Sequence, residues 1–167
     1  HGWLRAQGVA AERIAVAGDS AGGGLGLSLL LALRRRGELM PAAYWGLSAW
    51  TDLTASGESY DTRATLDPIH QRSMIVAVAR NYLGANVDPR DPQVSPLFAD
   101  LDGLPPLLMQ VGGRETVLDD TRDFARKAEQ SGCAVTLEVW DDMIHVSQQF
   151  PDDLPEAVAD AGAGAGQ

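Results

Sequence analysis

The chain holds a single cysteine, Cys133, among its 167 residues. That excludes an internal disulfide, is consistent with a reducing compartment, and leaves no Cys/His cluster for zinc. Cys133 sits at a helix-to-strand connection with no histidine beside it, so it reads as a packing residue. Positive charge is also scarce: 13 Lys and Arg against 23 Asp and Glu give a formal net charge of -10. This balance argues against nucleic acid or an anionic membrane surface as a partner. Long apolar runs are missing. The longest, around Leu25 to Leu33, is broken by Gly26 and Ser28 and ends in Arg34-Arg35-Arg36, which is too short to cross a bilayer. No signal-peptide pattern opens the chain, and a cytoplasmic address is expected.

What remains is an ordinary globular composition, 45% hydrophobic and 22% charged, at a length that suits one domain with a core. Residues 1–7 read as the tail of a helix stopped by Gly8. Short apolar runs mark strands at 13–17, 44–48, 107–111 and 134–140. Helical patterns lie between them: one from Ala21 to the arginine triplet, apolar nearly all round and ended by Gly37, and one running to about Ser131-Gly132. The arginines suit the first helix's C-terminal dipole, and Asp119 or Asp120 is expected to cap the second. Strands alternating with helices predict an α/β fold with a mostly parallel sheet of about four strands and right-handed crossovers. One connection is unusual. Residues 51–104 far exceed what a crossover needs, contain a helix from Gln71 to Leu83, and read as a lid-like insert within a domain spanning 1–160. The segment 161–167, alternating Ala and Gly, is expected to be disordered.

Gly18-Asp19-Ser20-Ala21-Gly22 lies between the first strand and the long helix. A G-x-S-x-G at such a junction is the nucleophile elbow, a tight turn that pushes its serine into the open. Small neighbours are needed because strand and helix backbones nearly touch there. Ser20 is thus the candidate nucleophile, and the N–H of Ala21, at a helix N-terminus, a candidate oxyanion donor. A trypsin-like G-D-S-x-G-G is excluded: only His1 precedes Ser20.

A serine nucleophile needs a base, and the base needs an acid. In open parallel sheets, reactive groups gather in loops beyond the strands' carboxyl ends. His145 follows the fourth strand and meets that condition; His1 and His70 are terminal and within the insert. The loop after the third strand offers Glu115, Asp119 and Asp120. Glu115 is the first of them, and the others serve better as helix-terminal carboxylates, though Asp119 remains the second candidate. Ser20, Glu115, His145 is the order nucleophile, acid, base of the α/β-hydrolase fold.

At this point the chain resembles the hormone-sensitive-lipase-like bacterial esterases, family IV, the fold-3 branch of the α/β-hydrolases. The resemblance runs through Arg13 to Gly23, Ser48-Ala49-Trp50-Thr51-Asp52-Leu53, Asp67-Pro68, Ser95-Pro96-Leu97, Leu104-Pro105-Pro106, Val111 to Asp120, and Trp140 to His145. Gly112-Gly113-Arg114-Glu115-Thr116-Val117-Leu118-Asp119-Asp120 is similar to a subgroup with glutamate as its acid. Members also carry an H-G-G-G segment upstream of the elbow that supplies most of the oxyanion hole, and His1-Gly2-Trp3 is not that motif. The resemblance therefore implies an N-terminally truncated half of the fold, a C-terminal fragment of an esterase, with Ala21 as the remaining oxyanion donor. It also implies short- or medium-chain carboxylic esters as substrates, an acyl-enzyme intermediate, and no cofactor or metal. A homo-oligomer of the full-length protein is left open.

Two other readings stand beside this one: a prolyl-oligopeptidase-like serine peptidase, and a non-catalytic fragment or binding protein on the same fold. The fragment by itself is expected to be weak or inactive, with an unpaired sheet edge at Ile14, Ala15 and Val16.

Overall fold

The computed structural model describes residues 1–154. The tail expected to be disordered, 161–167, lies outside the described residues. Four strands, β1 (Ala15–Asp19), β2 (Ala43–Leu47), β3 (Leu107–Gly112) and β4 (Val135–Trp140), form one parallel sheet in the order β1-β2-β3-β4. Register aligns Asp19 with Leu47, Leu47 with Gln110, and Gly112 with Trp140. The carboxyl ends of all four strands therefore share one edge, and the loops that leave them are neighbours.

Strand and helix bounds differ from the sequence reading by one or two residues. β1 starts at Ala15 because Ala11–Arg13 winds into a short 3-10 turn and Ile14 is buried behind it. Among the described residues β1 pairs on one side only, with β2, as expected for Ala15 and Val16, while Ile14 lies outside the strand.

After the N-terminal α1 (Gly2–Ala6), the helices α2 (Ser20–Arg35) and α5 (Leu118–Gln130) pack on the sheet. Leu27 and Leu30 meet Tyr44, Met109, Phe124 and Ala128 in the main core. Tyr44 donates its hydroxyl to the Gly23 carbonyl at 2.8 Å. Burial pushes that hydroxyl's pKa far up, so the donor stays protonated. The all-round apolar surface of α2 is only half used: Leu27 is fully buried, while Leu25 is 65% exposed. Gly37, at φ 65°, ends the helix region as expected. Arg34 acts at longer range than a helix dipole requires. It donates to the Asp100 carbonyl at 2.7 Å and to the Asp102 carboxylate at 2.9 Å, tying α2 to the segment before β3.

The insert carries α3 (Ser59–Thr62) and α4 (Arg72–Leu83), and its Leu53, Tyr60, Ile75 and Ala79 form a second small core with Trp50 and Val117 from outside it. Its root is held by the first turn of α5, and this corrects the capping expectation. α5 has Val117 in its cap position, whose side chain has no acceptor, and the two aspartates lie within its first turn and are engaged elsewhere. Asp119 Oδ2 accepts from Ser59 N at 2.8 Å. Asp120 Oδ2 accepts from Thr51 N at 3.0 Å and Asp52 N at 2.8 Å. Burial raises the Asp120 carboxyl to about 8, against the pull of those N–H donors. Among the described residues no helix is long and apolar enough to cross a membrane.

Candidate active site

The elbow forms where β1 hands over to α2. Ser20 is the first helical residue and has φ 50°, a left-handed conformation costing a non-glycine residue about 1–3 kcal/mol. Gly18 makes the turn possible, since a Cβ there would overlap the Gly22 carbonyl. Gly22 itself is not sterically required: a Cβ would meet only Asp19 Oδ1, at 3.7 Å. The crowding falls one residue later, where a Cβ on Gly23 would lie 2.8 Å from that of Ala49. Ala21 is exposed directly after Ser20, so its N–H is one of the unsatisfied donors at the start of α2.

Glu115 follows β3 and is fully buried. Gly112 permits this placement, because a Cβ there would strike the Met143 backbone and lie 2.9 Å from Glu115 Oε1. Glu115 Oε1 accepts from Ser48 Oγ at 2.7 Å and from Gly112 N at 2.6 Å. Glu115 Oε2 faces His145 Nδ1 at 2.6 Å. A carboxylate has no hydrogen to give, so it selects the tautomer with the proton on Nδ1, in which the lone pair lies on Nε2. His145 is 6% exposed, and its Nε2 has no hydrogen-bond partner.

Two contacts bring the histidine loop to the elbow. Gln149 Nε2 donates to Asp19 Oδ2 at 3.1 Å, beside Ser20. Val146 N donates to Ser48 Oγ at 3.2 Å, and Ser48 already holds Glu115. Backbone strain gathers here: Ser20, Ser48 and Val146 are three of the four described non-glycine residues with positive φ. Of the predicted set, Glu115 and His145 are directly bonded. Ser20 and Ala21 stand at the adjoining elbow, and Ser20 Oγ makes no hydrogen bond to His145 Nε2. Asp119, the second candidate acid, is engaged with Ser59 instead.

Three residues escaped the sequence reading. Ser48 bridges the acid and the histidine loop from the end of β2. Asp67 accepts from Ile69 N and His70 N through one oxygen, and from Thr116 N and Oγ1 through the other, at 2.8–3.0 Å. Burial opposes its ionisation, but these four donors together lower its pKa below the usual carboxylate value. His70, set aside as an insert residue, packs its ring against His145 with centroids 4.3 Å apart and planes at 89°. The available signal was position alone: a serine at the carboxyl end of a strand, and an Asp-Pro turn with a histidine just after it.

Beside the elbow is an apolar cavity of about 250 Å³, lined on one side by Ala21 and Leu25 and on the other by Trp50, Leu53, Val78 and Tyr82. Among the described residues no group of His, Cys, Asp and Glu has the arrangement of a metal site.

Comparison with known proteins agrees with this architecture. The profile of the alpha/beta hydrolase fold family matches residues 1–149. An acetyl-hydrolase of Streptomyces hygroscopicus is 42% identical over 163 residues, covering 96% of this chain and 54% of that protein. An esterase of Acinetobacter venetianus is 40% identical, covering 92% of this chain and 51% of that protein. Among solved structures, an esterase from the bacterial hormone-sensitive lipase family superposes with a TM-score of 0.91 at 52% identity, covering 93% of this chain and 52% of that one. The chain spans about half the length of the relatives it matches. With this parallel sheet and these relatives, it belongs to the α/β-hydrolase family, in its hormone-sensitive-lipase-like branch.

Proposed function

We propose that the chain carries the reacting groups of a carboxylic ester hydrolase, with Ser20 as nucleophile, His145 as general base and Glu115 as the acid that orients it. The observation that carries this reading is the buried 2.6 Å contact between His145 Nδ1 and Glu115 Oε2, which leaves Nε2 unpartnered on the sheet edge that also bears Ser20. His145 Nε2 takes the Ser20 proton as Oγ bonds to the ester carbonyl carbon. The negative charge on the carbonyl oxygen is met by Ala21 N–H, and Glu115 balances the imidazolium. The bond from carbon to the alcohol oxygen then breaks, and the alcohol leaves with the proton from Nε2. Water, deprotonated by His145, attacks the acyl-serine; its bond to Ser20 breaks, the acid departs and Ser20 regains its proton. Ser20 and His145 make no hydrogen bond in the unliganded chain, and catalytic contacts of this kind commonly tighten only with substrate bound.

The apolar cavity suits a short or medium acyl group, since Leu25, Trp50 and Leu53 offer it little polarity. Val78 and Tyr82 make the insert one wall of that cavity, which supports its role as a lid. Two of the relatives named above are an acetyl-hydrolase and an esterase, consistent with such substrates. Ala21 N–H is one donor where acyl transfer commonly uses two or three. Each further donor is worth about 10²–10³ in rate, so the chain by itself is expected to turn over more slowly than a site with a complete hole by at least about that factor.

The test is labelling by a fluorophosphonate probe, with peptide mapping, alongside hydrolysis of p-nitrophenyl butyrate. Label on Ser20, and loss of both signals in Ser20→Ala, are expected. Hydrolysis in Ser20→Ala within twofold of the parent would end the proposal.

A further inference from the structure

His145 is held by hydrogen bonding at Nδ1 alone, about which an imidazole can still pivot. A second constraint comes from the insert. The His70 ring stands edge to face on His145, 4.3 Å between centroids. Its loop is anchored rather than merely adjacent. Asp67 accepts from His70 N at 2.9 Å through Oδ1 and from Thr116 N at 2.8 Å through Oδ2. Thr116 directly follows Glu115, so one carboxylate clamps the backbone that carries His70 to the backbone that carries the acid. Gln71 closes the turn from the other side by donating to the Ala64 carbonyl at 2.9 Å. His70 Nδ1 is buried without a hydrogen-bond partner, so the ring is placed by packing, not by a bond of its own.

We propose that His70 is a positioning residue for His145: its neutral ring restricts the plane of the His145 imidazole, so that Nε2 is ready to meet the Ser20 hydroxyl when substrate binds, and a proton on His70 weakens that support. The proposal rests on the ester-hydrolase reading for the role of His145, but the ring contact does not. The groups facing His70 are Asp67 from its own loop and His145 from the loop after β4, with Glu115 behind the latter. Burial, and then the neighbouring His145, lower the pKa of His70, while Asp67 acts the other way. Near neutral pH the ring is therefore uncharged. Two imidazolium rings at this separation repel.

Proton NMR of the chain tests this without requiring turnover, with His1→Gln as background to simplify the spectrum. In His145→Gln, the His70 titration midpoint is expected to rise by roughly half a pH unit or more, as Coulomb repulsion at that spacing allows even in high dielectric. The far-downfield Nδ1–H resonance of His145 is expected in the parent and in His70→Phe, and broadened or lost in His70→Ala. Fluorophosphonate labelling of Ser20 at pH 8 is expected to slow on the order of tenfold in His70→Ala and to recover in His70→Phe. An unmoved midpoint, or a His70→Ala protein that keeps both the resonance and the labelling rate, overturns the proposal. If Ser20 is not labelled in any variant, the parent included, the hydrolase reading fails, while the resonance and midpoint still decide the ring contact. Should His70→Ala not fold, His70→Gln replaces it, because it keeps bulk but not the ring.

Discussion

Replacing Glu115 by Gln removes one property, the capacity to accept at both oxygens. Oε1 accepts from Ser48 Oγ and Gly112 N, and Oε2 serves His145 Nδ1, all within 2.6–2.7 Å and with no exposure to water. The amide has two placements. With its NH₂ toward His145, it donates to Nδ1, the imidazole proton moves to Nε2, and the base loses its lone pair. With its NH₂ toward Gly112, two donors confront each other in a dry site, at about 1–3 kcal/mol. Either way the imidazolium loses its counter-charge. In serine hydrolases the corresponding change of acid to amide costs about 10⁴ in rate, which converts to ~5.5 kcal/mol of barrier. Stopped-time labelling of Ser20 should therefore slow by about 10³–10⁴. Thermal unfolding should fall by about 2–4 °C for each kcal/mol lost. Asp119→Asn is the paired control: its oxygen still accepts from Ser59 N, so labelling should stay within about threefold. A loss below tenfold in Glu115→Gln, or a larger loss in Asp119→Asn, would refute the assignment of the acid.

Two further outcomes concern stability. Asp120 has its folded pKa raised by burial to about 8, above the ordinary carboxylate value, so the unfolded state releases its proton first as pH rises. Its contribution to stability should therefore decline between about pH 4 and pH 8; Asp120→Asn, whose amide oxygen can still accept from Thr51 N and Asp52 N, should flatten that decline in chemical denaturation, and an unchanged slope would contradict it. Gly18→Ala should destabilise by about 2 kcal/mol or more while Gly22→Ala stays within about 1 kcal/mol, because only the first pushes a methyl into backbone; equal effects in urea unfolding would show the elbow to be looser than described.

The local elements were legible because their signals are local. Apolar runs bounded by glycine and proline marked β1 to β4, and G-x-S-x-G between strand and helix marked the elbow. The parallel sheet followed from the alternation of strands and helices, and with it the carboxyl edge on which Glu115 and His145 meet. The aspartates of α5 lie in its first turn as read, but their capping role was misread for the opposite reason. At a helix start the nearest use for a carboxylate is a cap, but Asp119 and Asp120 bind Ser59, Thr51 and Asp52, some sixty to seventy residues away. Ser48, Asp67 and His70 were invisible in the same way, since each acts on a partner in a different loop.

The amino-acid order alone determined the type and succession of elements, the serine at the turn, His145 as its base and Glu115 ahead of Asp119 as the acid, because period, turn chemistry and chain order are written along the backbone. Only the folded arrangement decided what surrounds that pair: Ser48 beneath the carboxylate, the Asp67 clamp on Thr116, and a second imidazole against the first. Those contacts depend on distances between segments that no spacing in the chain encodes, and they exist once the sheet has brought its loops to one edge.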